Sequence, residues 1–490
     1  MKRIIAFSVF IISVIQLNAQ KNDLLNNLIN NIKASELFEI VDTLSSKEMR
    51  GRLSGTEGYN KAAIYASKIF KDLNLKPITK EGYYQFFNIE CNEIKEPCYI
   101  SDETTKFKLG TDFVCRGFTG SGNIASEVVF CGYGIKNGEY YNDYANIDVN
   151  GKIVLIFKQN PDWKINNEDW KYVDIRQKVA LARDNGAIGV LFVSVYNNGN
   201  PQKPIGSVMA GKGEHLSNIP QVHITPEVAN NFLKNTGFEI YQLQTLIDSN
   251  KKPKSLQTGR ICSMNINAKY TPSAKTMNVG AIMEGTDSLL KNEYVIICAH
   301  LDHVGTQGDS LMFPGANDNA SGSAGVLQIA KAFVNSGIQP KRSIIFLLFA
   351  SEEHGLDGSE YFADNMPVPV EQVTAMLNMD CIAYGDSIRV GCGKSFPKLW
   401  NIAKTSDDKF IKRMVDATWS GGGADATAFF NKKIPTLYFV TTNSYKYLHL
   451  PGDKPETLNL PLFESIVKLA AITLYNIADG NYIKENIDIK

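Results

Sequence analysis

Short, unbroken apolar runs alternate with runs of helical period through the second half of the chain. YVIIC at 294–298, SIIFLLF at 343–349 and the stretch 373–379 are apolar almost throughout, and 387–390 and 434–440 are shorter runs of the same kind. Such runs predict strands buried on both faces. Between and after them, 320–333 and 460–475 repeat apolar positions at helical spacing, the second as a long amphipathic helix. This alternation predicts an α/β fold, a sheet covered by helices on both faces.

The first half has a different texture. A helix is expected over 35–49, leading to a polar turn. A second is marked by Ala62, Ala63, Tyr65, Ala66, Ile69 and Phe70 and ended by the stretch 74–77. From about 120 to 262 the runs are shorter and bounded by glycine and polar turns: IASEVVFCGYG, then GKIVLIF. IRQKVALARDNGAIGVLFVSV reads as helix, turn and strand, with Asn185-Gly186 as the break. IPQVHITPEVANNFL repeats strand then helix, with Pro226 at the helix start. Acids and histidines do not cluster here, and His215 and His223 are expected at the surface. The segment therefore reads as a separate, non-catalytic, strand-rich module inserted into a larger domain. The expected division is 20–119 and 266–490 for the larger domain and 120–265 for the insert.

The N-terminus carries Lys2 and Arg3, an apolar stretch 4–17, and LNA before the polar QKND. That is the layout of a signal peptide, 1–19, cut after Ala19. The reading implies export to the periplasm or beyond, without stable membrane insertion after cleavage; an uncleaved anchor is the alternative. No later segment reads as a transmembrane helix.

A chain of 490 residues with 44% hydrophobic composition is long enough for two cores. Its 51 basic and 51 acidic residues cancel, which excludes the electrostatic footprint of a nucleic-acid binder. The eight cysteines lack CxxC spacing and build no zinc knuckle. Cys91 and Cys98 are spaced so that they could bridge.

Candidate chemistry changes the picture most. Only six histidines occur, yet His300 and His303 sit three apart in HLDHVG, where the first apolar run ends. Asp302 lies between them, and Asp318 follows in PGANDNASGSAG. Glu352 and Glu353 follow the second run, Asp380 closes the third, and His449 lies just beyond 434–440. Ligands and catalysts gather at the carboxyl ends of strands in α/β sheets. Imidazoles with carboxylates suit a pair of divalent metals, zinc above all, about 3.5 to 4 Å apart. Asp318 is best placed to lie between two ions, since its asparagine neighbours carry no charge. Of two adjacent glutamates, one can bind metal while the other stays free to accept a proton. Asp302 suits an outer role, fixing the ring of His300. His303 and His354 are placed outside the ligand set.

HLDHVG, PGANDNASGSAG, FASEEHGLDGS, LNMD and HLPGD together resemble the zinc-dependent exopeptidases of family M28, which include aminopeptidases and glutamate carboxypeptidase-like enzymes. The resemblance runs almost end to end through the processed chain. The insert is similar to the protease-associated (PA) domain found in many members. The resemblance implies a mixed central sheet and two zinc ions. His300 and Asp380 would hold one ion, Glu353 and His449 the other, and Asp318 would bridge. It also implies Glu352 as general base, Asp302 as orienting acid, and a cis peptide bond from Asp318 to Asn319. Two positions depart from the pattern. Ala424 stands before Asp425 where serine is usual, and Leu448 precedes His449 where many PA-containing members have tyrosine. Tyr445 and Tyr447 are the nearby substitutes for that oxyanion donor.

The expected function is a secreted or periplasmic aminopeptidase acting on peptides. A carboxypeptidase would need a cation for the terminal carboxylate, with Arg52, Arg342, Arg389 and Lys394 as candidates. A glutaminyl-cyclase-like enzyme and a receptor on an inactive scaffold are the other readings, and a receptor would not need the full ligand set. The sequence assigns no oligomeric state.

Overall fold

The computed structural model describes residues 23–485 apart from 166, 168–172, 197–198 and 212. The expected signal peptide therefore lies outside the described residues. Four parallel strands form the centre of the larger domain's sheet, in the order Thr436–Thr441, Val373–Met379, Tyr294–His300, Ser343–Phe349. Antiparallel strands flank them, Ile388–Gly391 at one edge and the end of Ser255–Met283 at the other. The sheet is thus mixed. The chain leaves the Tyr294–His300 strand toward one side and later returns to its other side. The strand order reverses at that point, where open α/β sheets form a crevice.

Both faces are covered. Every residue of Ser343–Phe349 is buried. Phe346 packs against Phe70 and Phe333, whereas Phe349 packs against Phe362 and Phe429. Residues three apart on a strand point to opposite faces. The helices Glu57–Asp72 and Ser321–Ser336 therefore cover one face, and Asp357–Asp364 and Ala426–Asn431 the other. Leu460–Ala478 is long and apolar enough to cross a bilayer, but it packs on the sheet and on neighbouring helices and is buried around most of its circumference. It is a core helix rather than the amphipathic one its spacing suggests.

The inserted lobe has its own partly parallel sheet, Gly122–Cys131, Ile153–Phe157, Gly189–Val193, Gln221–Ile224 and the edge strand Phe113–Cys115. Two long strands join it to the larger domain. Ser255–Met283 runs for 29 residues. Its start pairs with Gly122–Cys131, its middle with Tyr84–Ser101, and its end with Ser343–Phe349. The boundary drawn at 265 falls inside this strand, and the one at 119 separates Phe113–Cys115 from the sheet it completes.

His223 is not at the surface. It is fully buried in the central strand Gln221–Ile224, with Nε2 2.9 Å from Ser194 Oγ. His215 is partly buried and stacks on Tyr270, ring centroids 3.9 Å apart.

Candidate metal centre

The residues singled out from the sequence converge at the carboxyl ends of the parallel strands. His300 is the last residue of its strand and stands in register with Phe349. Asp380 directly follows Met379, and its backbone N–H donates to Phe439. Two groups of potential ligand atoms form, each within 4.8 Å: His300, Asp318 and Asp380, and His303, Asp318, Glu353 and His449. Asp318 belongs to both. His300 Nε2 is 3.4 Å from both Asp318 Oδ1 and Asp380 Oδ1. His449 Nε2 is 3.2 Å from Asp318 Oδ2 and 2.8 Å from Glu353 Oε2.

His303 was expected outside this set and lies inside it, with Nδ1 2.9 Å from Glu353 Oε1. Spacing within a loop gives no direction to a side chain. Here the loop is folded back by hydrogen bonds from the His303 and Gly305 N–H groups to the carbonyls of Arg52 and Gly51. His354 is buried outside both groups, and neither ring nitrogen has a partner.

The adjacent glutamates diverge. Glu353 enters the second group, whereas Glu352 Oε2 stands 3.9 Å from His300 Nε2 and belongs to neither group. Burial opposes charge on both. His449 nevertheless pulls Glu353 down to about 2, while Glu352, facing Asp425, Glu353 and Asp380, is held well above the ordinary carboxylate range despite the attraction of His300. The turn between strand and acids passes through Ser351 at φ +60°. Asp302 fixes this turn, its carboxylate accepting from the backbone N–H of Glu352 (3.2 Å) and Glu353 (3.3 Å). Its Oδ1 lies 3.6 Å from His300 Nδ1, so the acid touches both the turn and the ring.

Several supporting residues escaped the sequence reading. Asp453, the last letter of HLPGD, accepts from the backbone N–H groups of Asn317 (2.8 Å) and Asp318 (2.9 Å). Asn319 donates to the carbonyl of Met379 and accepts from Gly322, and Asn317 accepts from the Ala383 N–H. The asparagines beside Asp318 thus tie its loop to that of Asp380. The peptide from Asp318 to Asn319 is cis. Tyr438 donates to Asp380 Oδ2 at 2.8 Å. Arg52 is fully buried and spends its guanidinium on four carbonyls, those of Leu301, Leu44, Pro314 and Gly315.

The inserted lobe also reaches the site. The Gly206 N–H donates to the carbonyl of His449 at 2.9 Å, and His449 itself has φ +52°. A Cβ on Gly206 would stand 2.6 Å from Val304 and about 3 Å from Phe313. Gly206→Ala is therefore expected to push this strap off the His449 loop and lower kcat several-fold, with the inserted sheet intact by circular dichroism. Unchanged kinetics would separate the strap from the site.

Fold and site define an α/β protein with a paired metal-ligand site. Residues 278–474 match the model of peptidase family M28, and residues 124–232 match that of the PA domain. An M28 peptidase region thus spans 278–474, and a PA-domain region lies within the insert. A probable leucine aminopeptidase of Trichophyton verrucosum is 27% identical over 197 residues, 38% of this chain and 55% of that protein. An aminopeptidase of Pseudomonas aeruginosa is 24% identical over 375 residues, 73% of this chain and 59% of that protein. The chain thus spans little more than half the length of these curated relatives. Among solved structures, an aminopeptidase from Aneurinibacillus sp. strain AM-1 superposes with TM-score 0.67 at 20% identity, covering 95% of this chain and 98% of that one. A peptidase M28 precursor from Shewanella amazonensis gives 0.68 at 18% identity, covering 96% and 100%. At these identities the likeness is one of fold.

Proposed function

We propose that this chain is an exported binuclear zinc aminopeptidase. The observation that carries the reading is Asp318, shared by two ligand groups, with Glu352 close by and outside both. The donors fit such a pair of ions. Asp318, Glu353 and Asp380 bring three carboxylates together out of water, and Asp318 Oδ2 and Asp380 Oδ1 accept no hydrogen bond beyond the ring contacts of His449 and His300. Buried charge of that density needs cations, and imidazole with carboxylate oxygen suits zinc. His300 and Asp380 would hold one ion, Glu353 and His449 the other, with Asp318 between them and His303 supporting Glu353.

Bound zinc would supply Lewis acidity, polarising a scissile carbonyl and making water a nucleophile at neutral pH. The chain's own groups do the rest. Glu352, ionised once bound cations offset its acidic neighbours, would accept the water's proton at its carboxylate and deliver it to the leaving amine. Asp302 would hold Glu352 in reach by gripping both backbone N–H groups of the acidic pair. Tyr445 is the candidate oxyanion donor in place of the residue at Leu448. Its hydroxyl is pushed up to about 12 by burial and by Cys381 and Asp380, so it keeps its proton to donate.

Recognition of a free α-amine fits the acidic wall. A carboxypeptidase would need a free cation, and two candidates are committed elsewhere: Arg52 to four carbonyls, and Arg342 to Glu293 and the carbonyl of Ile477. Peptides with free and acetylated N-termini, and free and amidated C-termini, test the reading. Acetylation should abolish cleavage and amidation should leave it. The opposite pattern would make the enzyme a carboxypeptidase.

Elemental analysis of purified protein should find about two zinc ions per chain. A stoichiometry that stays near one after zinc supplementation would overturn the binuclear site.

A further inference from the structure

We infer that Cys98 and Cys115 form a disulfide in the mature protein. Their sulfurs lie 3.1 Å apart, 17 positions apart in sequence, and both side chains are buried in the apolar core of the inserted lobe. No other pair among the eight cysteines makes sulfur–sulfur contact, although every one is buried. Cys91, spaced to bridge with Cys98, lies instead in the separate cluster of Leu53, Val304 and Phe313.

The two cysteines sit on strands that do not pair with each other. Cys98 faces Ile266 in the long ladder joining the lobes, and Cys115 faces Val222 at the edge of the inserted sheet. Closing 3.1 Å to a bond of about 2.0 Å asks for a shift of about 1 Å, within side-chain adjustment. The backbone of Cys115 is fixed on both sides, its N–H donating to Gln307 Oε1 (2.7 Å) and its carbonyl accepting from Gln307 Nε2 (2.8 Å). Gln307 follows HLDHVG. The bond would therefore pin the edge strand to the ladder at the place where the peptidase side already grips it.

The chemistry is thiol–disulfide exchange. The two thiols lose two protons and two electrons and join, while the S–S bond of an oxidant disulfide is reduced to two thiols. Burial holds the Cys115 thiol well above its ordinary range, so the exchange belongs to folding, before the strands close. Formation during folding in the cell rests on the proposed export, whereas the pairing rests on the geometry alone.

Two preparations keep these apart. Protein refolded in reduced and oxidised glutathione, then denatured and alkylated without reduction, should label six of its eight cysteines and all eight after reduction. Peptide mapping should recover one cross-linked pair, Cys98 with Cys115. The double variant Cys98→Ala/Cys115→Ala should label all six remaining cysteines, keep its turnover, and lose the drop in melting temperature that reduction causes in the parent. Eight labelled cysteines, or a cross-link involving Cys91, would overturn the pairing. A bond present after refolding but absent from protein isolated from its native cells under alkylating conditions would leave the pairing standing and count against the export reading.

Discussion

Replacing Glu352 by glutamine is expected to cut turnover by roughly 10²- to 10⁴-fold while zinc content stays at the parental level. Glutamine keeps the shape and polarity of the side chain and removes only its capacity to accept a proton. Glu352 belongs to neither ligand group, so the metal sites should not register the change. Glu353→Gln is the matched control. It removes a charged member of the second group, one that His303 and His449 contact at 2.9 and 2.8 Å, so zinc occupancy and activity should fall together. Measuring zinc and turnover on both variants separates proton transfer from metal binding. A fully active, zinc-replete Glu352→Gln protein would leave the mechanism without its base.

Arg52→Met should lower stability by about 3 to 5 kcal/mol, the range for breaking a buried charged network, and weaken zinc retention. The guanidinium ties the loop after His300 to the loop before Asp318, through the carbonyls of Leu301, Pro314 and Gly315. Methionine fills much of the space but donates nothing, which strands those oxygens out of water. Although burial pulls Arg52 down to about 10, Asp318, Asp453, Asp302 and Glu353 oppose the fall, so the group stays charged at neutral pH and offsets their repulsion. Arg52→Lys keeps the charge but cannot span the same fork of carbonyls, so it should fall between. Denaturant unfolding with parallel zinc analysis reads both effects. A parental midpoint and parental zinc content in Arg52→Met would show that the four hydrogen bonds do not organise the site.

The sequence made the peptidase sheet legible because its strands are buried on both faces. Ser343–Phe349 and Val373–Met379 were bounded correctly by apolar runs alone. The site residues were legible as types at strand ends, and the structure brings His300, Asp318, Glu353, Asp380 and His449 together. What stayed hidden depends on contacts between distant segments. Arg52 lies 249 positions from the Leu301 carbonyl it binds, and the Asp453 carboxylate 135 from the Asp318 N–H. His303 depended on how one loop folds back, and His223 on whether QVHI is an edge or a central strand. The strand Ser255–Met283 carries period-two alternation at Cys262, Met264 and Ile266, but its change of neighbours halfway along looks like a domain boundary.

That strand has a mechanical consequence. A lobe hung on a flexible linker can swing, whereas one grown from a shared antiparallel ribbon moves only as far as the ribbon bends or twists. Seventeen residues of the ribbon, Ser263 to Val279 inclusive, span the outermost pairs that Ser255–Met283 makes with Tyr84–Ser101. Swinging the lobe as a rigid door would shear those hydrogen bonds. Gly206, riding on the lobe, would meanwhile drag the His449 carbonyl with it. The cleft therefore behaves as an elastic clamp of nearly fixed gape, in which torsion of the ribbon sets the width of the mouth and the geometry around the histidine together.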